Sequence, residues 1–289
     1  MSDPGGPPVP PPQPVVAEPV EARDPKRLAH LAEQRALIIR RSLLASGLAL
    51  IPVPVMDDYI AARVRAGLYM KLAAARHVDL AQSTADLLSD PKDGTVLRTA
   101  TVLAAMLIAA KLMLRKISRF LVAGRGAEEM ASGFQFATLV DHYCARLHVG
   151  GAVSRARAAQ LRLMIFDSID RTEKGKLVSA FRDGARVLGK SMLEAPGWMS
   201  QRLNAYAQRF AASGGRGAPF DPATELPPDE AEEKWLDRAA RVVEERFAAL
   251  GNDYLGALVD RFEERWKNRP PEPAEPVVAP PAETKSTDS

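Results

Sequence analysis

An all-α fold is what this 289-residue sequence predicts: a multi-helix bundle with a long central helix, set between disordered proline-rich tails. Three observations lead there. Apolar residues recur every three to five positions through most of 25–269, and no stretch keeps the two-residue alternation of a half-buried strand. Ala, Leu and Val carry most of the 46% hydrophobic content while aromatics are only 6%, a composition suited to closely packed helices. Prolines crowd the two ends and punctuate a few interior points, each fixing φ and removing a backbone donor.

Residues 1–24 contain PPVPPPQP and predict an extended, disordered tail with polyproline II character. Asp24-Pro25 opens the first helix, with Asp24 as cap and Pro25 at the position that needs no N–H. Pro52 and Pro54 stop it near Ile51. Asp57 or Asp58 caps a second helix running to about Arg76, so the first two helices form an antiparallel pair. Asp79 caps a short third helix ending near Leu88, and SDPKDG (89–94) is a turn. The long central helix spans about Thr95 to Ala123 and closes at Gly124. Further helices cover about 127–147, 154–171, 173–193 and 197–212. A Gly/Pro-rich linker fills 214–228. An acidic C-terminal stretch, 229–269, bears Trp235, Ala239, Val242, Phe247, Leu250, Tyr254, Leu258, Phe262 and Trp266 as one apolar stripe, with Gly251-Asn252 able to break it in two. The organisation is thus a helical core domain over 25–213, the linker, a C-terminal helix or helix pair, and a second disordered tail over 270–289.

Charge is unevenly laid out. Residues 25–125 carry 16 Lys/Arg against 7 Asp/Glu, and residues 216–289 carry 10 against 17. A basic front and an acidic rear fit two ordinary solvated faces, an anionic partner for the front, or contact between the two parts. The sequence pI is near 9.0, yet no aromatics interleave with a basic stripe, so no nucleic-acid partner is expected. Cys144 is the only cysteine, which excludes an internal disulfide and suits a reducing compartment. The first 16 residues have neither the basic nor the apolar region of a secretory signal.

Two stretches lack charge: Leu43–Met56, interrupted by prolines, and Thr99–Ala110, ended by Lys111. A spanning helix needs ~20 mostly apolar residues. Burial in a soluble bundle, a shallow or re-entrant membrane hairpin, and a full span all stay open. Arg40, Arg41, Arg115, Lys116 and Arg119 flank the two stretches as an anionic lipid surface would require.

Chemistry-bearing constellations are sparse. Asp141, Cys144 and His148 stand at i, i+3 and i+7 on one helical face, with His142 pointing elsewhere; no fourth metal ligand is visible, and a buried cysteine beside a surface Asp and His is the plain reading. Asp57-Asp58 diverge by about a quarter-turn and fit capping better than acid–base work. Asp167 and Asp170 suit surface pairs with Arg162, Arg171 or Lys174. There is no phosphate loop, nucleophile elbow, HExxH or CxxC. No catalytic, cofactor-binding or metal residue is therefore assigned.

The block Ala45–Leu80, with Ile51-Pro52-Val53-Pro54, Asp57 and Val78-Asp79, resembles a bacterial helical domain family of unknown function. That family is found in inner-membrane proteins and after small GTPase domains. The resemblance implies association with the cytoplasmic side of a bacterial membrane, peripheral or re-entrant, without an assigned activity. Asp58, Arg63 and Arg65 make the second helix more charged than the family outline. The expectation from sequence is a non-enzymatic membrane-associated protein. The alternative is a soluble cytoplasmic adaptor that uses Trp235, Phe247, Tyr254, Phe262 and Trp266 against a partner helix or its own basic body.

Overall fold

The computed structural model describes residues 25–49, 56–89, 125–170, 174–194, 230–249 and 252–271. The predicted long helix at 95–123, the helix at 197–212, the linker, the N-terminal tail and nearly all of the C-terminal tail lie outside the described residues. Those described form eight α-helices and no strand. They are α1 (Ala29–Ala49), α2 (Met56–Ala75), α3 (Gln82–Ser89), α4 (Arg125–His142), α5 (Arg155–Asp170), α6 (Gly175–Glu194), α7 (Glu230–Ala248) and α8 (Asn252–Lys267).

Local chemistry explains most boundaries. Pro25 starts a 3-10 turn, Pro25–Leu28, that feeds α1. α1 ends at Ala49, ahead of Pro52. At the other end of α2, Val78 N–H donates to the Ala73 carbonyl and His77 N–H to that of Ala74, with His77 at φ 58°. That is a six-residue helix stop of the kind glycine usually serves, here carrying an imidazole. Asp79 does not cap α3. Its backbone pairs with the loop before α5 instead, its N–H donating to the Gly151 carbonyl while its carbonyl accepts from Val153 N–H. α3 starts three residues later because Ala81 accepts its first bonds. Ser154 caps α5 through Oγ, 3.0 Å from the Arg157 nitrogen. α7 and α8 separate near Gly251-Asn252.

Contacts between helices fix their directions. His30 of α1 meets His142 at the end of α4, while Ser42 lies beside Gly133, so the two run antiparallel. Arg76, just beyond α2, reaches the His30 carbonyl, which places the end of α2 at the start of α1. Asp86 of α3 pairs with Arg63, so α3 turns back along α2. Arg40 pairs with Asp237 and Arg35 lies over Phe247, so α7 also runs antiparallel to α1. Ala49, Met56, Ser89, Arg125 and Glu230 consequently face one end of the bundle, here the upper end. The start of α1 and the ends of α2, α4 and α8 share the lower end.

α4 is central among the described helices, packed on α1, α2, α5, α6 and α8. Its Phe134 contacts Phe181 of α6 and Phe247 of α7 at ring separations of 5.7 and 5.3 Å. On another side, Phe136 stacks on Tyr69 and touches Phe166. The acidic C-terminal helices are built into this same bundle. Asp237, Asp260 and Glu263 meet Arg40, Arg27 and His142, so among the described residues part of the acidic rear pairs with the basic front.

Candidate functional site

The titratable side chains at the centre of the lower end, Asp141 and His142, emerge from an apolar setting. From Phe134 to Cys144 each residue of α4 and the turn after it is buried, yet the run includes Asp141 and His142. A buried charge or polar group without partners is costly, so these two require partners from elsewhere in the chain.

Asp141, fully enclosed, receives two hydrogen bonds from Arg76, Nε to Oδ1 at 2.9 Å and Nη2 to Oδ2 at 3.1 Å. Arg76 also donates to Glu33 and to the His30 carbonyl. Hydrogen bonds from Arg76 to Asp141 foremost raise the Arg76 pKa further above its ordinary value. Burial pushes the Asp141 carboxyl up, and the Arg76 contacts pull it part of the way back.

His142, only 1% exposed, is the hub. Its Nε2 lies 2.9 Å from Glu263 Oε1 and its Nδ1 lies 3.1 Å from His30 Nε2. With Glu263 ionised, His142 Nε2–H donates to the carboxylate, and Nδ1 then accepts from His30 Nε2–H. His30 Nδ1 is left buried without a hydrogen-bond partner. Burial lowers both imidazoles from their ordinary value, His142 to about 4 against the opposing pull of Glu263. Glu263 Oε2 accepts from Arg27 Nη2, and Arg27 Nη1 donates to Asp260. Both His142 nitrogens are engaged, so neither is free to take a proton from a ligand while these bonds stand.

The Asp141/Cys144/His148 face expected from helical spacing does not assemble. Residues Tyr143–Leu147 form a π turn, closed by the His148 N–H donating to the Tyr143 carbonyl. This departs from α geometry and breaks the seven-residue spacing on which the face depends. Asp141 turns to Arg76, His148 Nδ1 meets the Tyr143 hydroxyl, and Cys144 is buried with its thiol pushed up to about 12 by desolvation. Among the described residues no group of three His, Cys, Asp or Glu could hold a metal ion. His142, which the helical wheel sets aside, is the residue that organises this end.

The other sequence candidates divide. Arg40 is partly exposed and paired with Asp237, and Arg41 is buried, so neither presents a free cation at the surface. Arg115, Lys116 and Arg119 lie outside the described residues. Phe247, Phe262 and Trp266 are buried, while Trp235 and Tyr254 are half-buried against the core, Tyr254 bonding to Gln135. The stripe thus faces the chain's own helices rather than a separate partner helix. Asp167 pairs with Arg265 of α8. Among the described residues the large exposed apolar side chains are Val149, Leu163 and Phe166. No described helix is long and apolar enough to cross a membrane.

Comparison with protein-family models, with curated proteins and with solved structures finds no match.

Proposed function

We propose that this is a non-enzymatic helical protein that associates with the cytoplasmic face of a bacterial membrane through its upper end. The observation that carries the reading is the shared exit of the two charge-free stretches. The first begins inside α1, where Leu43 and Ala45 are buried in the core, and its remainder lies between Ala49 and Met56; the second lies between Ser89 of α3 and Arg125 of α4. All four points face the same end of the bundle. The chain leaves and re-enters the described bundle around both stretches at that one end, and Arg115, Lys116 and Arg119 come soon after the second in sequence, where an anionic headgroup layer would attract them.

Flotation with vesicles of phosphatidylglycerol and phosphatidylcholine tests it. The wild-type protein should float with the vesicles and R115E/K116E/R119E should stay at the bottom. Equal recovery of the two would end the proposal.

A second reading, an adaptor docking a partner protein, is favoured by one feature. Helical spacing sets Leu163 and Phe166 on one face of α5, both exposed, with Arg162 over the Phe166 ring. Here the apolar stretches would close the bundle's own core.

A further inference from the structure

The lower end holds a cleft of about 600 Å³, within the range of small-molecule sites. Its apolar wall is Leu147 and Trp266. Its charge comes from three separate elements: Arg27 of the first 3-10 turn, Arg146 of the π turn and Lys267 at the end of α8. Glu263 is the only acid lining it, and both carboxylate oxygens are already occupied, one by His142 and one by Arg27.

Arg146 and Lys267 differ from the cations around them. Arg27, Arg76 and Arg265 each hold a carboxylate. Arg146 and Lys267 are exposed and make no ion pair or hydrogen bond with another described residue. Arg269 and Arg157 add positive charge nearby, their guanidinium carbons 4.3 and 5.8 Å from the centre of the Trp266 ring. The π turn contributes to this arrangement. One extra residue in a helical turn rotates the later side chains by about 100°, and here it sets Arg146 and Leu147 at the cleft.

We propose that this cleft is a binding site for a small amphipathic organic anion, its carboxylate held by Arg146 and Lys267 and its apolar body laid against Leu147 and Trp266. Two adjacent cations attract an entering anion even in a partly hydrated cleft. A charge-assisted hydrogen bond is about twice as strong as a neutral one, and an apolar body adds area burial that a bare ion lacks. The cleft lies at the end of the bundle opposite the proposed membrane contact, so the two ideas stand or fall separately.

Isothermal titration of the full chain with octanoate, acetate and inorganic phosphate tests it. Octanoate should bind at one site per chain and at least about 10-fold tighter than acetate or phosphate. R146Q/K267Q should weaken octanoate by about 10-fold or more. Both side chains are exposed, so its thermal unfolding should match wild type, and K190Q/R186Q on α6 should bind octanoate normally. Absence of saturable octanoate binding overturns the proposal. So does equal binding by wild type and R146Q/K267Q, or phosphate binding as tightly as octanoate.

Discussion

The lower end of the bundle and its middle are built by opposite means. At the lower end, Arg76, Asp141, His30, His142, Glu263 and Arg27 link α1, α2, α4 and α8 through charged and imidazole hydrogen bonds. In the middle, α1, α4, α6 and α7 meet through Leu43, Phe134, Phe181, Val243 and Phe247, all buried. Directional bonds between ionised groups depend on partner and pH, whereas a dry contact responds to shape alone. The same molecule should therefore show two kinds of sensitivity, separable by where it is perturbed.

The largest effect is expected at Arg76. Removing one member of a buried ion pair leaves the other charged and desolvated, which costs about 3–5 kcal/mol. Arg76→Ala should lower unfolding free energy by that order, read from urea denaturation at pH 7. Replacing both partners, R76M/D141L, should restore much of the loss, since an apolar pair of similar volume carries no desolvated charge. A loss below about 1 kcal/mol in Arg76→Ala would mean that Asp141 is neutral or hydrated, and the contrast between the two regions would fail.

Acid comes next. His142 is enclosed with its pKa lowered to about 4, while an unfolded imidazole titrates near its ordinary value of about 6.5. The unfolded chain therefore binds more protons between those two values. The stabilisation is complete above about pH 6.5 and is lost as pH falls toward 4, for a total of about 3 kcal/mol at 1.4 kcal/mol per pKa unit. His30, also lowered by burial, adds in the same direction. Unfolding monitored from pH 7.5 to 4 should show this slope, and His142→Gln, which can still donate to Glu263, should flatten most of it. An unchanged slope in His142→Gln would remove His142 as its source.

How much of this is legible in sequence depends on the reach of each signal. Pro52, Ser154 and Gly251 act on their immediate neighbours, so the described helices appear at nearly the bounds that sequence predicts. The hub depends on distant partners. His30 and Glu263 lie 112 and 121 residues from His142, and a helical wheel reports only neighbours along the chain. The wheel also assumes regular α geometry through Tyr143–Leu147, where the π turn breaks the spacing. Asp79 looks like a cap in sequence because its backbone bridge to 151–153 leaves no local trace. One signal does point to the lower end: Asp141 and His142 sit within the largely apolar run from Phe134 to Cys144, and ionisable groups in such a run imply distant partners. Arg40 shows the converse. Its place beside a charge-free stretch suggests lipid, but Asp237, far away in sequence, pairs with it.

The middle of the bundle should answer to shape and ignore acid, and Gly184 of α6 is the position to show it. A Cβ there would fall 2.5 Å from Val243 Cγ2, 3.1 Å from the Ala239 carbonyl oxygen and 3.7 Å from Leu43 Cδ2. Alanine is the better helix former by about 1 kcal/mol, which alone would stabilise α6. Overpacking costs about 1–3 kcal/mol, and the obstacle includes backbone of α7, which no rotamer change can move aside. The clash should win, so Gly184→Ala is expected to destabilise by up to about 2 kcal/mol in urea, the difference between those two terms. Val243→Ala in the same chain should relieve the methyl contact while the Ala239 carbonyl still resists. Because the atoms that an added Cβ would meet are all aliphatic or backbone, the loss at pH 7 and at pH 5 should agree. A loss that changed between the two, and still did so with the neighbouring Asp183–Arg246 pair removed by D183N, would tie the α6–α7 contact to the ionic lower end and remove the division between the two regions.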